Sequence, residues 1–126
     1  MSDYRISWAQ RGHRFACAFA RERVGIDVEI ADGGEIPWNV LHADEVGALR
    51  AAKSGRKALF LRIWAAKEAY GKALGEGLRR EPTDFSVELI GRDEARINDP
   101  ALGANEAAQV AFSTVGEDAV VAVALI

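Results

Sequence analysis

Two carboxylates two residues apart, Asp27 and Glu29 in Val24-Gly-Ile-Asp-Val-Glu29, are the first residues whose types and spacing could do chemistry. The segment reads as a strand. Its side chains alternate, so both acids share one face and Ile26 and Val28 take the other. Neighbouring carboxylates repel, and the repulsion is relieved only by a cation or a cationic side chain between them. A solvated strand edge is one reading of this pair. A site for a hard divalent cation is the other, since magnesium takes one or two protein carboxylates, some waters and the phosphates of a substrate. A third acid, Glu68, on a neighbouring helix would complete such a site. Lys72 lies four residues beyond Glu68 on the same helix face, with Trp64 one turn earlier. That pair is either an exposed ion pair worth about 0.3 kcal/mol or part of the same site.

Other chemistries have less to draw on. Zinc would need nitrogen or sulfur ligands, and His13, His42 and Cys17 are not grouped. No glycine-rich loop ends in Gly-Lys-Ser/Thr, which argues against nucleotide hydrolysis of the usual kind. Neither histidine stands near a recognisable nucleophile motif, so a Ser-His-acid triad lacks support.

The elements that must position these residues centre on Phe60–Leu78, which reads as one long helix of good helix formers without proline. Gly75 and Gly77 suit a left-handed C-terminal cap, and Leu78 could fold back on the last turn. Leu59, Phe60, Ile63, Ala66, Tyr70, Ala73 and Leu74 form one wide apolar face, with Leu61, Ala65 and Ala69 opposite, which predicts burial on more than one side. Upstream, Tyr4–Ser7 is a strand candidate and Gln10–His13 a turn. Arg14–Ala20 and Val24–Ile30 read as a hairpin around Arg21–Arg23. Asp44 to about Ala52 is a helix with Val46 and Leu49 inward. Downstream, Phe85–Ile90 alternates as a strand, Arg92–Asn105 reads as a loop, and Gln109–Thr114 with Ala119–Leu125 forms a second hairpin. Strands, then helices, then strands predict an α+β domain, with an antiparallel sheet packed on the long central helix.

The chain has 126 residues, enough for one core, and is read as one domain over residues 1–126. A net charge of -3 argues against general nucleic-acid binding. The single cysteine, Cys17, has no internal disulfide partner and reads as a small core residue. No apolar run is long enough to span a membrane and no secretory signal opens the sequence, so a cytoplasmic setting is expected.

Gly25-Ile-Asp-Val-Glu29, followed by Trp64-Ala-Ala-Lys-Glu-Ala-Tyr-Gly-Lys-Ala-Leu-Gly-Glu-Gly-Leu78, resembles the 4′-phosphopantetheinyl transferases. His42-Ala-Asp-Glu45 and Phe60-Leu-Arg-Ile63 fall between the two motifs, and the likeness spans roughly residues 7–78. The resemblance implies the family's fold and its activity: transfer of the 4′-phosphopantetheine arm of coenzyme A to a serine of an acyl or peptidyl carrier protein, releasing 3′,5′-ADP. It also implies that Asp27, Glu29 and Glu68 hold magnesium on the coenzyme A pyrophosphate. Lys72 would contact phosphate, Lys67 would help at the same site, and Glu68, Glu29 or a metal-held water would accept the serine proton. Larger members carry Ser-His ahead of this region, the histidine contacting coenzyme A. Here Ser7-Trp8 stands in that place, which makes Ser7 a coenzyme-binding candidate, whereas Trp8 cannot accept a hydrogen bond.

The chain has the size of the small acyl-carrier-protein synthase class and a helix motif closer to the larger, two-lobed class. A homo-oligomer with shared sites is therefore expected, a trimer ahead of a dimer, with Leu61, Ala65 or Ala69 or the strand edge beside Asp27 as the associating surface. The basic run Arg50, Lys53, Arg56 and Lys57 is either a solvated helix face or a docking surface for an acidic carrier. A second reading of the whole chain is a non-catalytic member that binds carrier proteins or serves as an assembly subunit, with Trp8 in its favour.

Overall fold

The structure is a computed structural model and describes residues 3–75 and 80–126. The expected contributions of Gly77 and Leu78 lie outside the described residues. Strands β1 (Arg5–Arg11), β2 (Arg14–Ala20) and β3 (Val24–Ile30) come first. Helices α1 (Ala43–Ala51) and α2 (Arg56–Leu74) follow, then β4 (Ser86–Ile90), β5 (Glu94–Asn98), β6 (Ala108–Val115) and β7 (Ala119–Leu125). The fold is α+β, with a five-stranded antiparallel sheet in the order β3-β7-β6-β5-β4 against the long helix α2.

The pairing of the first three strands differs from expectation. β2 pairs with β1, and this hairpin is a separate two-stranded sheet. β3 pairs instead with the last strand, placing Gly25 opposite Ala124, Asp27 opposite Ala122 and Glu29 opposite Val120. Strand limits follow from local alternation, but partner choice depends on which faces must be buried together. A strand also occupies Glu94–Asn98, where a loop was expected. Ala95 and Ile97 point inward there and pair across the sheet with β4 and β6.

One face of the sheet is the main core. Val87, Ile97, Val110, Phe112, Val120, Ala122 and Ala124 are buried with Ile63, Ala66, Tyr70 and Leu49 of the helices. Small residues let α2 lie close on β3. A Cβ at Gly25 would sit 1.9 Å from the Ala69 carbonyl oxygen, so only glycine fits. Ala65 and Ala69 are wholly buried by this contact within the protomer. They are not available as the self-associating surface expected of them. On the other sheet face, Ile26 and Val28 pack with Val121 and Val123 against Ala9, Ala16 and Ala18 of the β1–β2 hairpin.

The hairpin turns the rest of its side chains outward. Tyr4, Ile6, Trp8, Phe15 and Phe19 are all half exposed or more. Cys17 belongs to this outer row and is exposed, not in the core, because Ala16 and Ala18 take the inward positions of β2. Helix α1 is capped by His42, whose Nδ1 accepts the Asp44 N–H at 3.0 Å while Glu45 Oε1 accepts the His42 N–H at 2.9 Å. Helix α2 ends at Gly75, whose φ of 77° is the left-handed cap expected there. Among the described residues, no helix is long and apolar enough to cross a membrane.

Candidate active site

Strand alternation sends Gly25, Asp27 and Glu29 to the face that meets α2, and the 3.6-residue period of α2 brings Glu68 and Lys72 to the same place. Lys72 Nζ lies 3.6 Å from Asp27 Oδ1 and donates to the Ile26 carbonyl at 2.9 Å. It also donates to the Trp8 carbonyl at 3.3 Å. On the far side, Arg11 Nη2 donates to Glu29 Oε2 at 2.9 Å and Arg11 Nε to the Val28 carbonyl at 3.4 Å. Two acids are thus bracketed by two cationic side chains, one from the helix and one from the hairpin.

The carboxylates are short of positive charge even so. Asp27 and Glu29 are only 4% and 8% exposed. Asp27 Oδ2 is buried and makes no hydrogen bond. Burial first, then a hydrogen bond shared with Glu29 when the proton is on and the Glu29 charge, push the Asp27 carboxyl up to about 8, with Lys72 pulling the other way. Glu68 is also raised above the ordinary carboxylate range, by burial and then by Glu29. An unpartnered buried acceptor inside a cluster of hard oxygen donors fits a divalent cation. Among the described residues, no three acid, histidine or cysteine groups converge into a ready coordination shell. Asp27 and Glu29 are each held by a basic side chain instead.

A cleft of about 850 Å³ opens beside Glu29. Ile36, Phe60, Leu61 and Trp64 line its apolar wall, and Lys57 and Arg92 stand at its polar margins. Phe60 and Trp64 stack with ring centroids 6.4 Å apart, which stiffens that wall.

Two expected site residues have other duties. Lys67 is wholly buried and points away from the carboxylate face. Its Nζ pairs with Glu45 Oε2 at 3.0 Å and donates to the carbonyls of Pro82 and Phe85 at 2.6 and 2.7 Å. With those three partners its donors are used up, so Lys67 ties α2 to α1 and to the segment before β4 and does not reach the ligand site. Ser7 is also buried, and its Oγ accepts the Ile26 N–H at 3.0 Å, pegging the hairpin to the outer edge of β3. The Trp8 side chain lies on the opposite side of β1, 60% exposed and stacked on Phe15. It meets the site only through its carbonyl.

Sequence reasoning missed Arg11, which it left in a turn. The signal was available: β1 runs on to Arg11, so Ser7, Ala9 and Arg11 fall on one face, the face toward β3.

A search of curated proteins found no match. A solved holo-(acyl-carrier-protein) synthase from Bacillus anthracis str. Ames, in complex with CoA (3′,5′-ADP), is similar with a TM-score of 0.62 and 25% identity. The alignment covers 82% of this chain and 95% of that one. The family model of the 4′-phosphopantetheinyl transferase superfamily matches residues 23–124, from just before β3 to the penultimate residue of β7. The chain therefore belongs to the 4′-phosphopantetheinyl transferase superfamily, and its activity is phosphopantetheinyl transfer.

Proposed function

We propose that the protein moves the 4′-phosphopantetheine arm of coenzyme A onto a serine of an acyl or peptidyl carrier protein, in a magnesium-dependent reaction. The observation that carries the metal requirement is the buried Asp27 oxygen without a partner, set beside Glu29 on the face shared with Glu68 and Lys72. Asp27, Glu29 and Glu68 would hold the ion. When bound, it would supply charge neutralisation for the pyrophosphate.

The chain's own residues account for the rest. Lys72, fixed by the Ile26 and Trp8 carbonyls, holds positive charge where the phosphates arrive. The carrier serine Oγ forms the new bond to phosphorus, the bond from phosphorus to the leaving phosphate oxygen breaks, and 3′,5′-ADP departs. The serine proton needs an acceptor. Glu68 suits that role by position, since it lies on the face shared with Lys72 and no basic side chain holds it among the described residues. The cleft beside Glu29 has room for the arm and its apolar wall suits the arm's alkyl portions.

Carrier docking falls to the basic run from the last turn of α1 to the first turn of α2. Arg50 stacks over Trp38 at 5.7 Å, and Lys57 donates to the Gly33 carbonyl at the rim of the cleft. Self-association remains part of this reading, now through the outer face of the β1–β2 hairpin. Its exposed aromatic row is on the order of several hundred Å², the size that marks interaction surfaces. Light scattering of the wild type and of Phe19→Glu tests this: an oligomer that the substitution dissociates is expected, and a wild-type monomer overturns it. The metal claim is tested by calorimetry of coenzyme A binding with magnesium and with chelator. Tighter binding with magnesium is expected. Equal affinity in both would sink the metal-dependent reading.

A further inference from the structure

We propose that Arg11 is a binding residue for the phosphates of coenzyme A, released to them when a divalent cation takes Glu29; this rests on the reading above. Arg11 lies in the hairpin, ahead of the residues matched by the family model. It is nevertheless the basic group nearest Glu29, at 2.9 Å. Its grip on Glu29 is a single bond, with a second long one to the Val28 carbonyl. A guanidinium has five N–H donors and binds carboxylate or phosphate best with two at once. Here its fork is used by halves, and the side chain stays 51% exposed. It is anchored enough to stay near the site and exposed enough to turn toward an arriving anion.

The charge balance points the same way. Asp27, Glu29 and Glu68 face Arg11 and Lys72. With a divalent ion bound and the three carboxyls ionised around it, the sum of these charges is a net positive charge of one, which favours an anion. Without Arg11 the same sum is zero. Arg11 holds Glu29 through Oε2 alone, and an ion drawing on the same carboxylate weakens that hold, which leaves the guanidinium for a phosphate, the partner whose geometry matches its fork. Lys72 serves as a point charge. Arg11 would add directional recognition from the opposite side of the acids.

This exchange has a signature that a merely structural ion pair does not share, because the two ligands respond in opposite directions. Calorimetry is run on wild type, Arg11→Ala and Arg11→Lys, first with magnesium alone and then with coenzyme A in saturating magnesium. Arg11→Ala should bind magnesium several-fold more tightly, having lost the competing cation. It should bind coenzyme A about tenfold more weakly. Arg11→Lys keeps the charge and should hold magnesium near the wild-type affinity while still weakening coenzyme A, because the fork is gone. Arg11→Lys also guards against a misfolded alanine variant, whose loss of structure shows in circular dichroism. Coenzyme A affinity within twofold of wild type in both variants overturns the proposal, as does a parallel loss for both ligands. Failure of the wild type to bind coenzyme A more tightly with magnesium would overturn the underlying reading, and is seen before any variant is made.

Discussion

Lys67→Met separates the two lysines of the helix motif. The substitution keeps a long side chain at a site with no exposure and removes the ammonium, whose partners are Glu45 and the carbonyls of Pro82 and Phe85. Glu45 retains its bonds from the His42 and Val87 N–H groups, but its charge is left buried without a counter-ion. Breaking one half of a buried pair costs about 3–5 kcal/mol. The ammonium also lies 4.2 Å from the centre of the Phe85 ring, a contact worth roughly 1 kcal/mol that is lost as well. Urea denaturation should therefore show a loss of about 5 kcal/mol, a large share of the stability of an ordinary domain. Below the transition, coenzyme A affinity in magnesium should stay within about twofold of wild type. Lys72→Ala should do the reverse: a stability change under about 1 kcal/mol, with coenzyme A binding about tenfold weaker. Pairing Lys67→Met with Glu45→Gln should cost less than the sum of the two singles, because the second change removes the stranded charge. Stability preserved in Lys67→Met together with lost coenzyme A binding would refute the assignment of Lys67 to the frame.

Three further outcomes follow from the same contacts. The folded Asp27 carboxyl titrates near 8, above its unfolded value of 3.8, so the fold holds that proton and metal-free stability falls as pH rises between about 4 and 8. Asp27→Asn should remove that slope, so that in chelator its stability relative to wild type is greater at pH 8 than at pH 4; thermal melts that differ from wild type by the same amount at every pH would contradict it. Gly25→Ala drives a Cβ into the Ala69 carbonyl, so it should cost about 3 kcal/mol and weaken coenzyme A binding by moving β3 off α2; unchanged melting would mean the contact yields. Reversing Arg50 and Lys53 to Glu should slow carrier modification at low salt and matter less at high salt, and a rate loss independent of salt would remove their docking role.

The register of the candidate site residues was more legible than the frame around them. Asp27 and Glu29 share a face by the two-residue period of a strand, and Glu68 and Lys72 by the helical period, so local rules sufficed to bring them into register. Strand limits for β2, β3 and β7 were legible for the same reason. Partner choice was not: β3 pairs with the last strand, and nothing in the local pattern of residues 14–30 reports on residues 119–125. Lys67 misled because it sits beside Glu68 in the motif, while one residue on a helix is a rotation of 100°, enough to turn it into the core. Its partner Glu45 looked like a capping residue, which it is, but its second oxygen holds Val87 and Lys67. β5 offered only Ala95 and Ile97 as apolar alternation between charged residues, too short a pattern to separate from a loop.

The most direct test of the account is the mass of an apo carrier protein after incubation with the enzyme, coenzyme A and magnesium. The account predicts that the carrier gains one phosphopantetheine arm on its serine, and that both chelator and Asp27→Ala abolish the gain in a protein that remains folded. Modification that proceeds unchanged in chelator, or undiminished in Asp27→Ala, would contradict the claim that the Asp27–Glu29–Glu68 face holds the metal that phosphopantetheinyl transfer requires.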